Sequence, residues 1–244
     1  MKKVLIVFLL LFGLIPVYAD ITENGRLSAA LDSYKSGNYE NSIKEYEIII
    51  LNGFSNPYVY YNLSNAYYKS NDIGRASLNI EKALRLAPRD VDIRYNRNFI
   101  AKLSGEPEKN TAEYIVNIIE LLFSLNELII AFFIITVFLC VSGGLYFLKQ
   151  KKLFLKISTV CFIIFSLNAS LLYLKVYNEI ILCEAVVLSD TQVRNKPIKS
   201  EDGAFAVSAG RKVIILSELG RWVNIKLSVD GFSGWIDKNY IEKI

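Results

Sequence analysis

Polar and apolar positions along this chain fall into three regimes. From Glu23 to Asp90, apolar residues recur at helical spacing, and the pattern repeats with a period of 34 residues, so two helical hairpins are predicted. Val91 to Leu103 (VDIRYNRNFIAKL) adds one more amphipathic helix, and Gly105 to Thr111 is a polar linker. Next come two apolar runs, Leu128 to Leu148 and Leu153 to Leu174, separated by a short basic turn. Each is as long as the roughly 20 residues a helix needs to cross a bilayer core. From Ile181 the period changes to two. Ala185–Leu188, Thr191–Arg194, Val213–Leu216, Trp222–Leu227 and Gly234–Ile236 read as five short strands punctuated by Gly and Pro turns, which predicts a small barrel.

The 34-residue period is that of tetratricopeptide (TPR) repeats. The copy from Pro57 to Asp90 resembles the TPR pattern through Leu63, Ser64, Tyr67, Ala76, Ile80, Ala83 and Pro88. One period earlier stand Ala29, Ala30, Ser33, Ser42, Tyr46 and Ile49, followed by the loop around Gly53. Small residues such as Ser42 and Ala76 let the two helices of a hairpin approach closely, while Tyr46, Ile49, Ile80 and Ala83 face the contact. Gly37 is placed to end the first helix in a left-handed conformation, and Pro88 to stop the last. The helix from Val91 reads as a cap, with Ile93, Ile100 and Leu103 covering the second repeat and Arg94 and Arg97 in water.

Charge sets the expected topology. Lys2 and Lys3, the apolar run Val4–Ile15, Pro16 and Val17-Tyr18-Ala19 read as a secretory leader cleaved after Ala19, the alternative being an uncleaved anchor. Lys149, Lys151, Lys152 and Lys156 crowd the turn between the apolar runs, whereas Tyr114 to Glu127 has no Lys or Arg. By the positive-inside rule that turn is cytoplasmic. Both flanking parts are then extracytoplasmic, anchored in the inner membrane by two spans. Tyr114–Leu125 is too short to span and reads as an interfacial helix, or else as an extension of the first span. Ser142-Gly143-Gly144 suits close packing between the spans, and Asn168 is placed to hydrogen-bond across to the first of them. Cys140, Cys161 and Cys183 read as packing residues, with Cys183 open to intermolecular pairing.

The C-terminal segment resembles bacterial SH3-like (SH3b) domains. AVVLSDTQVRNKP looks like their opening, GRKVIILSELGRWVNIKL like their middle and DGFSGWIDKNYIEKI like their close, although Asn195-Lys196 stands where a small Ser-Gly pair is commoner. The order of leader, TPR pair, membrane hairpin and SH3-like barrel resembles BatE-like proteins of the Bacteroides aerotolerance (Bat) family. That resemblance implies company with a MoxR-type ATPase and von Willebrand factor A membrane proteins, and a role in envelope stress or oxygen tolerance.

The expected fold class is therefore a multidomain membrane protein: all-α TPR hairpins, a two-helix transmembrane hairpin and a C-terminal all-β SH3-like barrel. Its segments are a signal peptide at 1–19, TPR repeats with a cap at 20–104, a linker and interfacial helix at 105–127, spans at 128–148 and 153–174 around a turn at 149–152, and the SH3-like domain at 181–244. The net charge of +4 comes largely from the membrane turn, so no nucleic-acid face is expected.

Chemistry is sparse. The 244 residues contain no histidine, which removes the usual general base and commonest metal ligand. With no CxxC, HExxH, Walker or GxGxxG motif either, neither enzyme activity nor a cofactor or metal is expected. Binding is the better reading. On the concave TPR face the first helix of each repeat offers Leu27, Leu31, Tyr34 and Lys35, then Tyr58, Tyr61, Asn65, Tyr68 and Lys69, then Tyr95 and Phe99. Tyrosines give large contact area at low entropy cost, and Leu27 and Leu31 stand where a carboxylate clamp would need polar groups. The competing reading is that half of these tyrosines pack against the cap helix. On the barrel, Trp222 and Tyr240 are the surface candidates, with Trp235 read as core. Two functions follow: a scaffold for protein partners such as the Bat von Willebrand factor A proteins, or a sensor that binds peptidoglycan.

Overall fold

The structure is a computed structural model describing residues 25–107, 111–198, 203–227 and 231–244. The leader and its cleavage site lie outside the described residues. Five helices open the chain: α1 (25–35), α2 (Tyr39–Leu51), α3 (Pro57–Lys69), α4 (Ile73–Leu86) and α5 (Val91–Leu103). Their starts are set by side-chain caps. Asn38, Asn56, Asp72 and Asp90 each accept a backbone N–H of the helix that follows. These caps keep the repeat, since Asn38 and Asp72, like Asn56 and Asp90, are 34 residues apart. Gly37 and Asn71 occupy equivalent turns with φ of 79° and 66°, the left-handed geometry that glycine and asparagine tolerate best.

Ala30, Tyr46, Ile49, Val59, Leu63, Tyr67, Ala76, Ile80, Ala83, Ile93 and Ile100 form one buried core through all five helices. Ser42 and Ala76 are fully buried where small residues were expected, and the Ser64 hydroxyl donates to the Ala76 carbonyl at 2.6 Å across the α3–α4 contact. The cap helix differs from its sequence reading. Ile93 and Ile100 are buried, but Leu103 is exposed, and Arg97, expected in water, is buried between them. Its Nε donates to Glu81 at 2.6 Å and its guanidinium also meets Glu106 at 2.9 Å. Burial opposes the Arg97 charge, and the two carboxylates more than offset that and raise its pKa.

A second compact unit spans Pro107–Cys183. In it α6 (Thr111–Leu122) is a helix separate from α7 (Leu125–Lys149), because Ser124 and Glu127 form a reciprocal capping box that starts α7 afresh. Gln150, with φ of 51°, ends α7, and α8 (Lys152–Val176) runs to a π-turn at Tyr177–Ile181. Phe132 and Phe165 meet across the pair at 4.9 Å, and a Cβ on Gly143 would fit in ordinary contact with the Ser158 hydroxyl at 3.9 Å. Asn168 is buried, but its Oδ1 has no hydrogen-bond partner among the described residues, so the expected bond to α7 is not made. α7 and α8 are both long and apolar enough to cross a membrane. Only 11% of the most apolar window of α7 and none of that of α8 is buried, unlike the core helices of a soluble domain.

The C-terminal part is an antiparallel sheet of seven strands in the order β3-β2-β6-β5-β4-β1-β7. They are β1 (Glu184–Val187), β2 (Thr191–Arg194), β3 (Gly203–Val207), β4 (Lys212–Leu219), β5 (Trp222–Leu227), β6 (Ser233–Asp237) and β7 (Ile241–Lys243). Five strands were expected. The two unforeseen ones are the small-residue run GAFAV, weak in strand propensity, and a three-residue strand after the turn at Lys238–Tyr240. All seven strands place side chains in one apolar core, among them Val187, Val193, Val207, Val213, Ile225, Ile236 and Ile241, so the sheet curls about its own inner face. Alternation along β6 sends Ile236 inward and Trp235 outward, which corrects the reading of Trp235 as core.

The helices up to Glu106 and the sheet from Glu184 onward belong to one compact unit, not to independent modules. A Cβ on Gly74 of α4 would collide with the Leu188 carbonyl, and the Ser77 hydroxyl donates to the Gly210 carbonyl at 2.7 Å. Lys212 on β4 reaches Glu81 at 3.7 Å and Glu184 at 3.1 Å. Burial works against its charge, but these two acids hold its pKa above the ordinary lysine value. Removing one partner of such a cluster leaves an uncompensated buried charge, at a cost of about 3–5 kcal/mol. Arg97→Met should fall at the lower end, since Lys212 still reaches Glu81. Both tryptophans lie in the sheet, so denaturant unfolding of the full chain in detergent, followed by their fluorescence, reads the coupling. An unchanged midpoint would show that α5 and the sheet are energetically independent.

Candidate functional site: an aromatic groove on the repeat helices

Pro57 at the first position of α3 and the Asn56 cap fix where that helix begins, and so which face each residue takes. Val59, Leu63, Ala66 and Tyr67 point into the core, leaving Tyr58, Tyr61, Asn65, Tyr68 and Lys69 on the other side. α5 adds an unbroken i, i+4 stripe of Val91, Tyr95, Phe99 and Leu103, exposed by 74%, 72%, 42% and 50%. The two helices are stitched together. Asn96 Nδ2 donates to Asn65 Oδ1 at 2.9 Å and to the Tyr61 hydroxyl at 3.1 Å, while Phe99 meets Tyr68 edge-on at 5.4 Å.

The predicted groove residues divide into two groups. Tyr61 and Tyr68, with Leu27, are partly buried against the repeat core, so the packing reading holds for them. Tyr58 and Tyr95 are exposed. Lys69 lies over the Tyr68 ring at 5.8 Å, and Lys35 is exposed at the end of α1. Tyr34 packs edge-on against Tyr39 at 5.5 Å, and burial, then the neighbouring phenols of Tyr39 and Tyr61, raise its pKa. Asn96 was not singled out in the sequence, although its place one turn from Phe99 on a polar-aromatic helix face marks it. The arrangement offers wide aromatic area with a central amide cluster.

At the rim, the Tyr58 hydroxyl donates to Asp90 at 3.0 Å. The same carboxylate accepts the Asp92 and Ile93 backbone N–H groups that begin α5. Its pKa is lowered by the Ile93 N–H first and the Tyr58 hydroxyl next. The Tyr58 pKa is raised by the bond to Asp90.

On the outer face of the sheet, Arg194 and Arg221 lie over the Trp222 ring at 5.5 and 5.6 Å. Arg221 pairs with Asp237, which lowers the pKa of that carboxyl. The register sets Trp235 beside Arg194 and Asn224, so both tryptophans share this face. The Asn224 Oδ1 is buried there without a hydrogen-bond partner among the described residues. Strand alternation from Trp222 identifies Asn224, which sequence reasoning had passed over. Tyr240 lies elsewhere, in the turn before β7, where its carbonyl accepts the Leu188 N–H at 2.8 Å.

A tetratricopeptide-repeat family model matches residues 57–90, the segment of α3 and α4. Comparison with curated proteins gives no match. The chain thus carries a TPR repeat, an architecture whose stacked helices generally bind other proteins.

Asp90→Ala should cost about 1 kcal/mol by uncapping α5, whereas Asp90→Asn should keep most of that stability. The sign of the pH dependence follows from the lowered pKa. The contribution of Asp90 is complete above the unfolded carboxylate value of about 3.9 and is lost as pH falls through the lower folded value. Thermal unfolding should therefore place Asp90→Asn below the native chain at neutral pH by a small margin and bring the two together at acid pH, where both side chains are uncharged. Equal offsets at both pH values would contradict the capping account.

Proposed function

We propose that this protein is a non-enzymatic, membrane-anchored scaffold that holds protein partners on the extracytoplasmic side through its TPR groove. The carrying observation is the exposed stripe Val91–Tyr95–Phe99–Leu103 beside Tyr58. Contiguous exposed apolar surface of this kind marks interaction sites, and tyrosine is enriched among the residues that dominate binding energy. Anchoring is supported by α7 and α8, whose most apolar windows stay almost wholly uncovered among the described residues. The basic turn between them supports an inner-membrane hairpin with a cytoplasmic loop. The curled sheet fits an SH3-like barrel, and the module order fits a BatE-like member of a Bat-type envelope complex with von Willebrand factor A partners.

A second reading draws on the sheet. Trp222 and Trp235 share one outer face with Arg194 and Arg221, a surface able to stack on sugar rings and pair with carboxylates, so peptidoglycan recognition by an envelope sensor is the alternative.

The first test is a crosslinking pull-down from intact membranes, comparing the native chain with Tyr95→Ala/Phe99→Ala. Loss of two such contacts should reduce partner recovery about tenfold or more. Unchanged recovery would remove the groove from the binding function. For the second reading, the full chain in detergent is sedimented with murein sacculi. Binding that is abolished by Trp222→Ala would favour the sensor, and no sedimentation of the native chain would eliminate it.

A further inference from the structure

We infer that the membrane hairpin is an insertion into one folded body, and that a chain of alternating charges clasps the two points where the polypeptide leaves and re-enters that body. The membrane part of this inference rests on the reading of α7 and α8 as spans given above.

The body is built from both flanks of the hairpin, up to Glu106 and from Glu184 onward. Its seam is made of main chain as much as side chain. Gly74 leaves no space for a Cβ against the Leu188 carbonyl, and a Cβ on Gly210 would stand 2.9 Å from that of Ser104. Ser77 bonds to the Gly210 carbonyl, Arg211 to the Gly105 carbonyl at 3.2 Å and Arg85 to the Ile244 carbonyl at 2.7 Å. Every residue of α4 from Ala76 to Glu81 is buried. A helix at the outer row of a repeat array would ordinarily show one of its faces to water. Here Ser77, Asn79 and Glu81, polar positions on that helix, are covered.

Across the seam, ion pairs run Glu106–Arg97–Glu81–Lys212–Glu184–Arg85, with separations of 2.9, 2.6, 3.7, 3.1 and 3.2 Å. Glu106 and Glu184 are the last and first residues of the body on either side of the inserted unit. The charges that hold the seam are therefore the charges at the two exits. Segments folded into a single body occupy one face of a membrane, so the chain between them crosses it an even number of times. α7 and α8 then supply both crossings, and the turn at Gln150 lies on the opposite face.

The test uses the full chain in sealed membrane vesicles of known orientation, with Cys140, Cys161 and Cys183 changed to Ser. An impermeant maleimide should reach Asn98→Cys and Asn239→Cys from the same side, and Gln150→Cys only from the other. Labelling of Asn98→Cys and Asn239→Cys from opposite sides overturns the inference. If all three label from one side, the span reading fails while the single body stands. The body itself is read independently. Lys82→Cys and Glu242→Cys replace an ion pair across the seam at 2.9 Å, and a short bis-maleimide should join them, so that cutting a protease site placed at Gln150 leaves the halves covalently linked. Linkage should persist in Ser77→Ala and be lost in Gly74→Val. No linkage in the parent pair, or undiminished linkage in Gly74→Val, overturns it.

Discussion

Covering α4 on both sides is the constraint from which the rest of the body formed by the repeat helices and the sheet follows. One side of the helix is spent in the repeat core through Ala76, Ile80 and Ala83. The other side carries Ser77 and Glu81, groups that lose water when the sheet covers them, and these, like the buried Asn79 elsewhere on the helix, must find partners in the protein. Ser77 finds the Gly210 carbonyl, Asn79 bonds back to the Arg75 carbonyl, and Glu81 takes Arg97 and Lys212. Arg97 is buried because Glu81 requires it. The cap helix and the sheet are thereby positioned by the same carboxylate.

That arrangement leaves the faces of the body with distinct roles. α4 is committed to the sheet, while α3 and α5 keep Tyr58, Tyr95 and Phe99 open to solvent. The groove is shaped by polar bonds that do not compete with a ligand for its aromatic surface. Asn96 holds Asn65 and Tyr61, and Asp90 holds Tyr58. Preordering of this kind lowers the entropy cost of capturing a partner.

Much of this was legible in the sequence, for a physical reason that also explains what was not. Periodicity reports which residues avoid water, so the 34-residue repeat, the two apolar runs and the alternation after Glu184 located the helices and most of the strands. Periodicity does not report what a polar residue meets. Arg97 looks like a surface arginine until Glu81 is placed opposite it. Gly74 looks like a tolerated helix glycine until the Leu188 carbonyl occupies the space of its missing side chain. Trp235 follows a buried glycine and was read as core, yet strand alternation places the buried position at Ile236. For the groove, the aromatic roster was readable, but the division between Tyr61 and Tyr68, half in the core, and Tyr58 and Tyr95, in solvent, depends on how α5 settles on α3.

The bond between Ser77 and Gly210 joins residues 133 positions apart, and that separation bears on how the chain matures. Contacts so distant form late, because the loop entropy must be overcome before they contribute. While the polypeptide is made from its N-terminus, the repeat helices emerge long before the strands that cover α4. During that interval Leu78 and Glu81 lack their final surroundings, and the nascent chain presents a half-covered helix to chaperones and proteases. Prior pairing of α7 with α8 would shorten the effective loop and bring Glu184 back towards Glu106. Copies in which the strands fail to return to α4 would be the ones left open to degradation.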